Sequence, residues 1–437
     1  MEINGKKARV LAFVSAVGLM VIGCETKTPV DVKAVDVEVV PDQEAADIKE
    51  ITLLTPELQK KRKPLESQKG KVLRGVHPKS HGCVDATFTI NDKIASEYRV
   101  GLFKHPETYQ AKIRYSNASV LLDPDLKDGK NGSRGMAIKV LGLNKKLGSF
   151  MLEDGDERNQ DFLMVNTPEF AFGNVRDYLR LTRILMLGRG AGPYFLPLKL
   201  LKPGASLELK PLVGDESDQV KESRKFYKTS DAFKGFTLKD KIGTGQSFAA
   251  LRKILGKTVK NPLQVPYFSA SPFRYGPDRV MKFSVVPVVK TEQTPFTDAP
   301  DENYLAQELM ETVTQKKGEK KKEPLEFSFM VQVIKASQLG DRKEELIENA
   351  ALAWDEKNYP FVKVATILIP PVEEKENVDF VNACKSLQFT PWHALAAHEP
   401  LGGINRLRKP VYCTSGEFRR NPAVNANKVL CQDKKYN

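Results

Sequence analysis

One tyrosine near the C-terminal end of the sequence is surrounded by arginines. The stretch INRLRKPVYCTSGEFRR, residues 404–420, contains Tyr412 together with Arg406, Arg408, Arg419 and Arg420. A free tyrosine phenol has a pKa of about 10, so ionising it at pH 7 costs roughly 4 kcal/mol. A guanidinium that donates to the phenol oxygen lowers this cost. On a helix, Arg408 at i−4 and Arg419 at i+7 share a face with Tyr412. The spacing therefore predicts an ionised tyrosine, and a solvated basic helix is the alternative.

Three further segments carry residues that are suited to chemistry. RGVHPKSHGCVDATFTI (74–90) places an arginine three residues before a histidine at the start of an alternating run. RYSNAS and SRGMAIKV contribute a serine and two arginines around two more runs, and DFLMVNTPEFAFGNVRDY (161–178) joins Asn-Thr-Pro to aromatic residues. The residues concerned are Arg74, His77, Arg114, Ser116, Arg134, Asn166, Phe170 and Tyr178.

Taken in chain order, these segments resemble the haem catalase family. The family's Arg-x-x-His-Ala-Lys-Gly is here Arg74-Gly-Val-His77-Pro-Lys-Ser, and its Arg-Phe-Ser is here Arg114-Tyr-Ser116. Its Arg-Gly-Phe-Ala-Val-Lys is here Arg134-Gly-Met-Ala-Ile-Lys, and its proximal Arg-x3-Tyr-x6-Arg is matched in full. The segment FTPWHALAAHEPLGGINRLRKPVY is similar to the shorter, diverged branch of catalase-related peroxidases. The resemblance covers about 71–420.

The resemblance implies a haem b cofactor whose iron is bound by Tyr412. Arg408 would keep the phenol of Tyr412 ionised, since ferric haem accepts tyrosinate as an axial ligand. Other residues implied to bind the cofactor are Arg74, Arg114 and Arg419 at the propionates, Arg134, and Phe170 and Tyr178 against the porphyrin.

On the opposite haem face, His77 would take a proton from a hydroperoxide and return it to the departing oxygen. Ser116 would orient the imidazole, and Asn166 is the third residue implied in catalysis. The family's distal Asn aligns with Val165 instead, and adjacent strand residues face opposite ways. We therefore expect a haem-dependent oxidoreductase that acts on hydrogen peroxide or, given Val165, on bulkier organic or lipid hydroperoxides.

Two other function classes remain open. A non-enzymatic haem-binding lipoprotein would retain Tyr412 while its distal chemistry has decayed, which Val165 favours and intact His77 disfavours. A structural β-rich lipoprotein would bind no cofactor at all.

The elements that must position these residues are strands and helices in irregular order. Runs such as AKIRYS, VMKFSVVPVV, LEFSFMVQVI and FVKVATILIPP alternate with period 2 and predict strands. Helical patterns lie at DYLRLTRILML, DENYLAQELMETVTQKK and DRKEELIENAALAWDE. The fold class is therefore α+β. We expect a catalase-like antiparallel β-barrel with surrounding helices and a C-terminal helix that carries Tyr412.

The N-terminus predicts secretion and a lipid anchor. A charged start precedes VLAFVSAVGLMVIG, an apolar run of 14 residues that is followed directly by Cys24. This layout is typical of a signal peptide, and VIGC resembles a bacterial lipobox. The predicted organisation is a signal peptide at 1–23, a tether at 24–70, the haem domain at 71–425 and a tail at 426–437. Lipidated Cys24 followed by Glu25 indicates the periplasmic side of the outer membrane.

Charge and cysteine content restrict the partners further. The net charge is +13, but the lysine run QKKGEKKKE lacks interleaved aromatic residues, so nucleic-acid binding is not expected. Besides Cys24, the four cysteines Cys83, Cys384, Cys413 and Cys431 allow three pairings, among which the sequence does not choose. The sequence also leaves open whether the chain forms a homo-oligomer.

Overall fold

A computed structural model describes residues 34–60, 73–118, 133–152, 158–186, 238–289, 301–376, 379–384 and 387–420. The predicted signal peptide, Cys24 and the predicted tail lie outside these ranges. None of the described helices is both long and apolar enough to cross a bilayer.

Eight antiparallel strands close into a barrel. Around it the order is β4-β3-β2-β1-β10-β9-β7-β5, and β5 pairs with β4 to complete the circle. The described strands are β1 Ser80–Ile90, β2 Thr108–Asn117, β3 Arg134–Val140, β4 Gln160–Val165, β5 Tyr267–Phe268, β6 Phe273–Arg274, β7 Arg279–Pro287, β8 Thr314–Gln315, β9 Leu325–Lys335, β10 Phe361–Ile369 and β11 Val372–Glu373. Closure leaves none of these eight strands with an unpaired edge. The predicted α+β fold with an antiparallel barrel is confirmed.

Aromatic residues fill the barrel interior. Alternate residues of each strand point inward, and four of them, Phe88, Phe162, Phe283 and Phe329, are fully buried in one cluster. The rings of Phe162 and Phe329 lie 4.6 Å apart, and those of Phe162 and Phe283 lie 5.0 Å apart. The barrel is therefore a packed core, and its outer face is available for a site.

Five helices surround the barrel in the described part of the chain: α1 Glu44–Lys60, α2 Val175–Met186, α3 Leu238–Leu255, α4 Tyr304–Val313 and α5 Gly403–Arg420. Helices α1, α2 and α5 pack together through Ile51, Leu179 and Leu407. The helices predicted at DYLRLTRILML and DENYLAQELMETVTQKK are present as α2 and α4. At DRKEELIENAALAWDE the structure instead has short turns and a single π-helical turn, Glu344–Glu348. Here Glu348 accepts from the backbone N–H of Gly403, and the indole N–H of Trp354 donates back to the backbone oxygen of Leu346 within the segment.

Part of the predicted tether is packed on the domain. Val37 is 1% exposed, and α1 buries Ile51 and Leu54. On α5, Arg406 forms ion pairs with Glu38, Glu44 and Glu348. Residues 34–60, which lie within the predicted tether, are therefore held on the domain by the buried Ile51 and Leu54 and by the acids that meet Arg406.

Candidate functional site

Tyr412 and Arg408 meet on one face of helix α5. The Nη2 and Nε atoms of Arg408 lie 3.0 Å and 3.3 Å from the hydroxyl oxygen of Tyr412, and both donate to it. The third donor, Nη1, binds Oδ1 of Asn405 at 3.1 Å. The i,i+4 spacing that was read from the sequence thus gives a guanidinium whose two N–H groups point at one phenol oxygen.

Three further arginines converge beside this pair from separate elements. Burial lowers the pKa of Arg74, and the positive charges of Arg114 and Arg419 lower it further. Burial likewise lowers the pKa of Arg114 to about 10, although the nearby Tyr412 opposes this shift. Within the described ranges no carboxylate forms an ion pair with these three arginines, and Nε of Arg114 is buried without a partner. These three arginines form a cationic group, here named the arginine cluster, whose chemistry suits a ligand with carboxylates.

His77 lies in the loop before β1 and is held through its Nδ1 atom. This atom lies 2.8 Å from the backbone oxygen of Asn117 and 3.1 Å from Oγ of Ser116. A carbonyl oxygen only accepts, so the contact with Asn117 requires the proton on Nδ1 and leaves Nε2 as the basic nitrogen. Burial, followed by the charge of Arg114, lowers the pKa of His77 to about 3. His77 is therefore neutral at pH 7 and able to accept a proton.

The charge of Arg408 also lowers the pKa of His77, as does that of Arg74. The histidine, the Arg408–Tyr412 pair and the arginine cluster therefore share one electrostatic environment. The loop that carries Arg74 and His77 also lies against α5: a Cβ built on Gly75 would be 3.6 Å from Oγ of Ser415.

Gly135 provides the space that the imidazole occupies. A Cβ at this position would lie 2.3 Å from Nδ1 of His77 and 2.9 Å from Oγ of Ser116. Any larger residue would displace the histidine. The sequence contains this signal in its Arg-Gly pair, but the glycine was not identified as a site residue.

Val165 shares the face of the barrel that carries Ser116 and Gly135. Ser116 on β2 pairs with Gly135 on β3, which in turn pairs with Val165 on β4. Directly opposed residues of antiparallel strands point to the same side of the sheet. Ser116, Gly135 and the half-buried Val165 therefore form one row across three strands on the face of the barrel that His77 contacts.

Arg134 and Asn166 are placed differently from the neighbouring residues of that row. Arg134 precedes Gly135, so its side chain points into the barrel, where Nη2 lies 3.5 Å from the hydroxyl of Tyr304. The carboxamide oxygen of Asn166 accepts from the backbone N–H of Arg134 at 2.9 Å, which prolongs the β3–β4 ladder. Their assignment to cofactor binding and catalysis stays a prediction.

The two aromatic residues predicted to contact the cofactor lie beyond β4. The backbone N–H of Phe170 donates to the oxygen of Ala350 at 2.8 Å, and the side chain is half-buried. Tyr178 on α2 packs with Ile51 and Leu407, and its ring meets that of Phe172 edge-on. Porphyrin contacts for Phe170 and Tyr178 also stay predictions.

A segment after β11 completes the wall around the arginine cluster. Cys384 forms a disulfide with Cys83 of β1, which is one of the three pairings that the sequence allowed. Cys413 is also disulfide-bonded. The guanidinium of Arg114 lies over the ring of Phe389, 4.5 Å from its centre. Phe389 is a site residue that sequence reasoning missed.

Buried polar contacts anchor this segment to the barrel. Asp161 on β4 accepts from Lys139 at 2.8 Å and from the backbone N–H of Thr390 at 3.0 Å. Its second oxygen also lies 3.1 Å from Nδ1 of His393. In the described residues no group of three or more His, Cys, Asp or Glu side chains is arranged to hold a metal ion.

Comparison with known proteins identifies the fold. No family model matches the chain, and no curated protein matches its sequence. Similar solved structures include a bacterial catalase (TM-score 0.51), catalase A from Saccharomyces cerevisiae (0.53) and a fungal catalase (0.50). Each is 14% identical, and the match covers 83% of this chain and 60%, 64% and 62% of theirs. The chain therefore has the fold of catalases and spans about three fifths of their length.

Proposed function

We propose that this protein is a haem-dependent oxidoreductase that acts on hydroperoxides. Tyr412 would bind the iron of haem b, and His77 would act as the acid and base on the other face. The observation that carries the proposal is the pair of N–H groups that Arg408 directs at the oxygen of Tyr412, 3.0 Å and 3.3 Å away. Such an arrangement stabilises a phenolate, the form of tyrosine that binds ferric haem.

The residues present fit this cofactor. Among the described residues Arg74, Arg114 and Arg419 form no direct ion pair with a carboxylate, and the unpartnered Nε of Arg114 calls for an acceptor. Two propionates would satisfy that demand, because carboxylates form the strongest hydrogen bonds with guanidinium groups. When bound, haem would supply the redox chemistry that cleaves the peroxide O–O bond.

The chain's own residues would move the proton. With Nδ1–H donating to Asn117, the free Nε2 of His77 accepts a proton from the incoming hydroperoxide and later returns it to the departing oxygen. The low pKa of His77 keeps Nε2 unprotonated before substrate arrives. The hydroxyl of Ser116 contacts Nδ1 of the ring, and Gly135 leaves the space that the ring occupies.

The row of Ser116, Gly135 and Val165 bears on the substrate. Val165, the third residue of the row, is apolar and so offers hydrogen peroxide no hydrogen bond. An alkyl chain would instead gain apolar contact with Val165. Organic or lipid hydroperoxides are therefore the favoured substrates.

Lipid hydroperoxides also suit the expected location. A predicted signal peptide at 1–23, followed by Cys24, favours a lipid-anchored protein of the cell envelope, on the periplasmic side of the outer membrane. Such a protein would meet oxidised lipids directly.

A non-enzymatic haem-binding protein is the second candidate, and apolar Val165 is the observation that favours it. Comparing hydroperoxide consumption by the haem-loaded parent and His77→Ala separates the two functions. A large loss in the variant supports the enzyme, whereas equal, negligible rates in both support the binding protein.

The test of the main proposal is the absorption spectrum of the purified mature protein after haem reconstitution, beside Tyr412→Phe. We expect a Soret band with high-spin ferric features that weaken or shift in Tyr412→Phe. Failure of the parent protein to take up haem would overturn the proposal and favour a structural lipoprotein. Uptake with identical spectra in both proteins would exclude Tyr412 as the ligand.

A further inference from the structure

Asn405 joins Arg408 to the body of the domain. It is fully buried on α5, one turn before Arg408. Its Oδ1 accepts from Nη1 of Arg408 at 3.1 Å and from Oγ of Ser271 at 3.0 Å. Its Nδ2 donates to the backbone oxygens of Pro272 at 2.9 Å and Leu401 at 3.0 Å. All four hydrogen-bonding positions of the carboxamide are used, so a single orientation satisfies it.

This orientation determines where the guanidinium of Arg408 points. The guanidinium is planar, and its N–H groups diverge at fixed angles. Once Nη1 is bound to Asn405, the Nε and Nη2 atoms face the oxygen of Tyr412. A flexible arginine side chain is thereby held in one position before any ligand arrives.

The neutrality of Asn405 matters as much as its position. Among the described residues no carboxylate contacts Arg408, whereas Arg406, two residues earlier, is surrounded by three. An amide oxygen accepts a hydrogen bond without cancelling the charge of the donor. Arg408 therefore directs its full positive charge at Tyr412.

The geometry points to Asn405 as a positioning residue that, with Ser271 behind it, aims the uncompensated charge of Arg408 at the oxygen of Tyr412. This inference rests on the proposed function, because its purpose is to hold Tyr412 as a phenolate ligand. It adds a residue from outside the motif Arg-x3-Tyr-x6-Arg.

The first experiment compares haem-loaded Asn405→Leu and Ser271→Ala with the parent protein. We expect Asn405→Leu to shift the high-spin ferric absorption bands and to release haem to excess apomyoglobin about tenfold faster, the effect of one lost charge-assisted hydrogen bond. Ser271→Ala removes only one support of Asn405, so it should move both readouts less, in the same direction. Unchanged spectra and release rates in both variants would overturn the inference.

Asn261 provides a matched control. It is also a buried asparagine whose carboxamide is hydrogen-bonded, but it donates to Thr312 of α4 and accepts from the backbone N–H of Leu263, and neither partner belongs to α5. Asn261→Leu should lower the thermal unfolding midpoint without shifting the haem bands. A shift equal to that of Asn405→Leu would mean that loss of any buried amide produces the effect, and would count against the inference.

A double-mutant cycle distinguishes positioning from plain structural support. If Asn405 acts through Arg408, then Asn405→Leu should add nothing to the haem release rate of Arg408→Leu. Additive effects would show that Asn405 acts independently of Arg408 and would overturn the inference.

A readout without haem separates this inference from the proposed function. In the crystal structure of the haem-free Asn405→Leu variant, we expect the guanidinium of Arg408 to leave the oxygen of Tyr412. If it stays within 3.3 Å, as in the parent, Asn405 does not position it. Failure of the parent to bind haem would overturn the proposed function and leave this structural comparison decisive for Asn405.

Discussion

Gly135 lies directly against the imidazole of His77: a single Cβ at this position would approach Nδ1 to 2.3 Å. No real Cβ contact is that short, so any residue other than glycine at position 135 would force His77 out of its observed position. The backbone strain at His77, whose φ is +56°, leaves the loop little room to adjust. The glycine is therefore part of the site even though it carries no functional group.

Gly135→Ala should displace His77 and reduce hydroperoxide turnover at least tenfold, while haem uptake through Tyr412 is retained. We expect a stability loss of about 1–3 kcal/mol from overpacking. Steady-state kinetics and the Soret band measure the two effects. Gly245→Ala on α3 is the control, because nothing lies within 4 Å of a Cβ there. Full activity in Gly135→Ala would contradict the assigned position of His77.

Val165→Asn should shift substrate preference from organic hydroperoxides towards hydrogen peroxide. The new carboxamide would lie in the row of Gly135 and offer a small, polar peroxide a hydrogen bond worth roughly 1 kcal/mol. We expect the ratio of the two kcat/KM values to change about fivefold. Val286→Asn, at a half-buried strand position on β7, should leave this ratio unchanged. An unaltered ratio in Val165→Asn would remove Val165 from the substrate site.

Arg114→Leu should have opposite effects on the haem-free and haem-loaded protein. Without haem, the variant relieves the mutual repulsion of the arginine cluster, so the free energy of unfolding should rise by about 1 kcal/mol. With haem, it loses a propionate partner, so haem should dissociate at least tenfold faster. Urea unfolding measures the change in stability of the haem-free protein, and the rate of haem transfer measures the dissociation of haem from the loaded protein. Destabilisation of both forms would indicate that Arg114 is a structural residue.

The low pKa of His77 predicts how stability depends on pH. The folded-state pKa is about 3 and the unfolded value is 6.5, so between these values the unfolded chain binds more protons. The free energy of unfolding should therefore fall as the pH drops below about 6.5. At pH 5 the protonation of His77 in the unfolded chain should account for up to about 2 kcal/mol of this loss. The measurement is the urea unfolding free energy at pH 7 and pH 5 for the parent and His77→Gln. An identical pH dependence in both would contradict a buried, neutral His77.

Arg406→Gln should release residues 34–60 from the domain. The substitution leaves Glu38, Glu44 and Glu348 close together without their cation. The side chain of Arg406 is 17% exposed, so the cost should lie below the roughly 3–5 kcal/mol of breaking a fully buried ion pair. Gln59 of α1 also donates to the backbone oxygen of Leu73 next to the His77 loop, so hydroperoxide turnover should fall as well. Thermal unfolding and kinetics test both effects.

Arg342→Gln is the control for that substitution. Arg342 pairs with Glu345 at the surface, where both side chains are about half exposed, so its loss should destabilise the protein far less than the loss of Arg406. Equal destabilisation by Arg342→Gln and Arg406→Gln would show that burial of the Arg406 cluster contributes nothing.

The sequence by itself determined those features that depend on local spacing. Period-2 alternation predicted the strands because side chains alternate across a sheet, and the four-residue spacing predicted the contact between Arg408 and Tyr412 because it is one turn of helix. The motif order also indicated the catalase fold that the structural comparison supports.

The tertiary structure decided every feature that joins distant segments. It selected Cys83 with Cys384, placed Val165 rather than Asn166 opposite Gly135, and packed residues 34–60 against α5. It also brought Arg74, Arg114 and Arg419 from three elements into the arginine cluster. Such contacts depend on strand register and on helix packing across the barrel, which local periodicity does not encode because each is set by the whole chain at once.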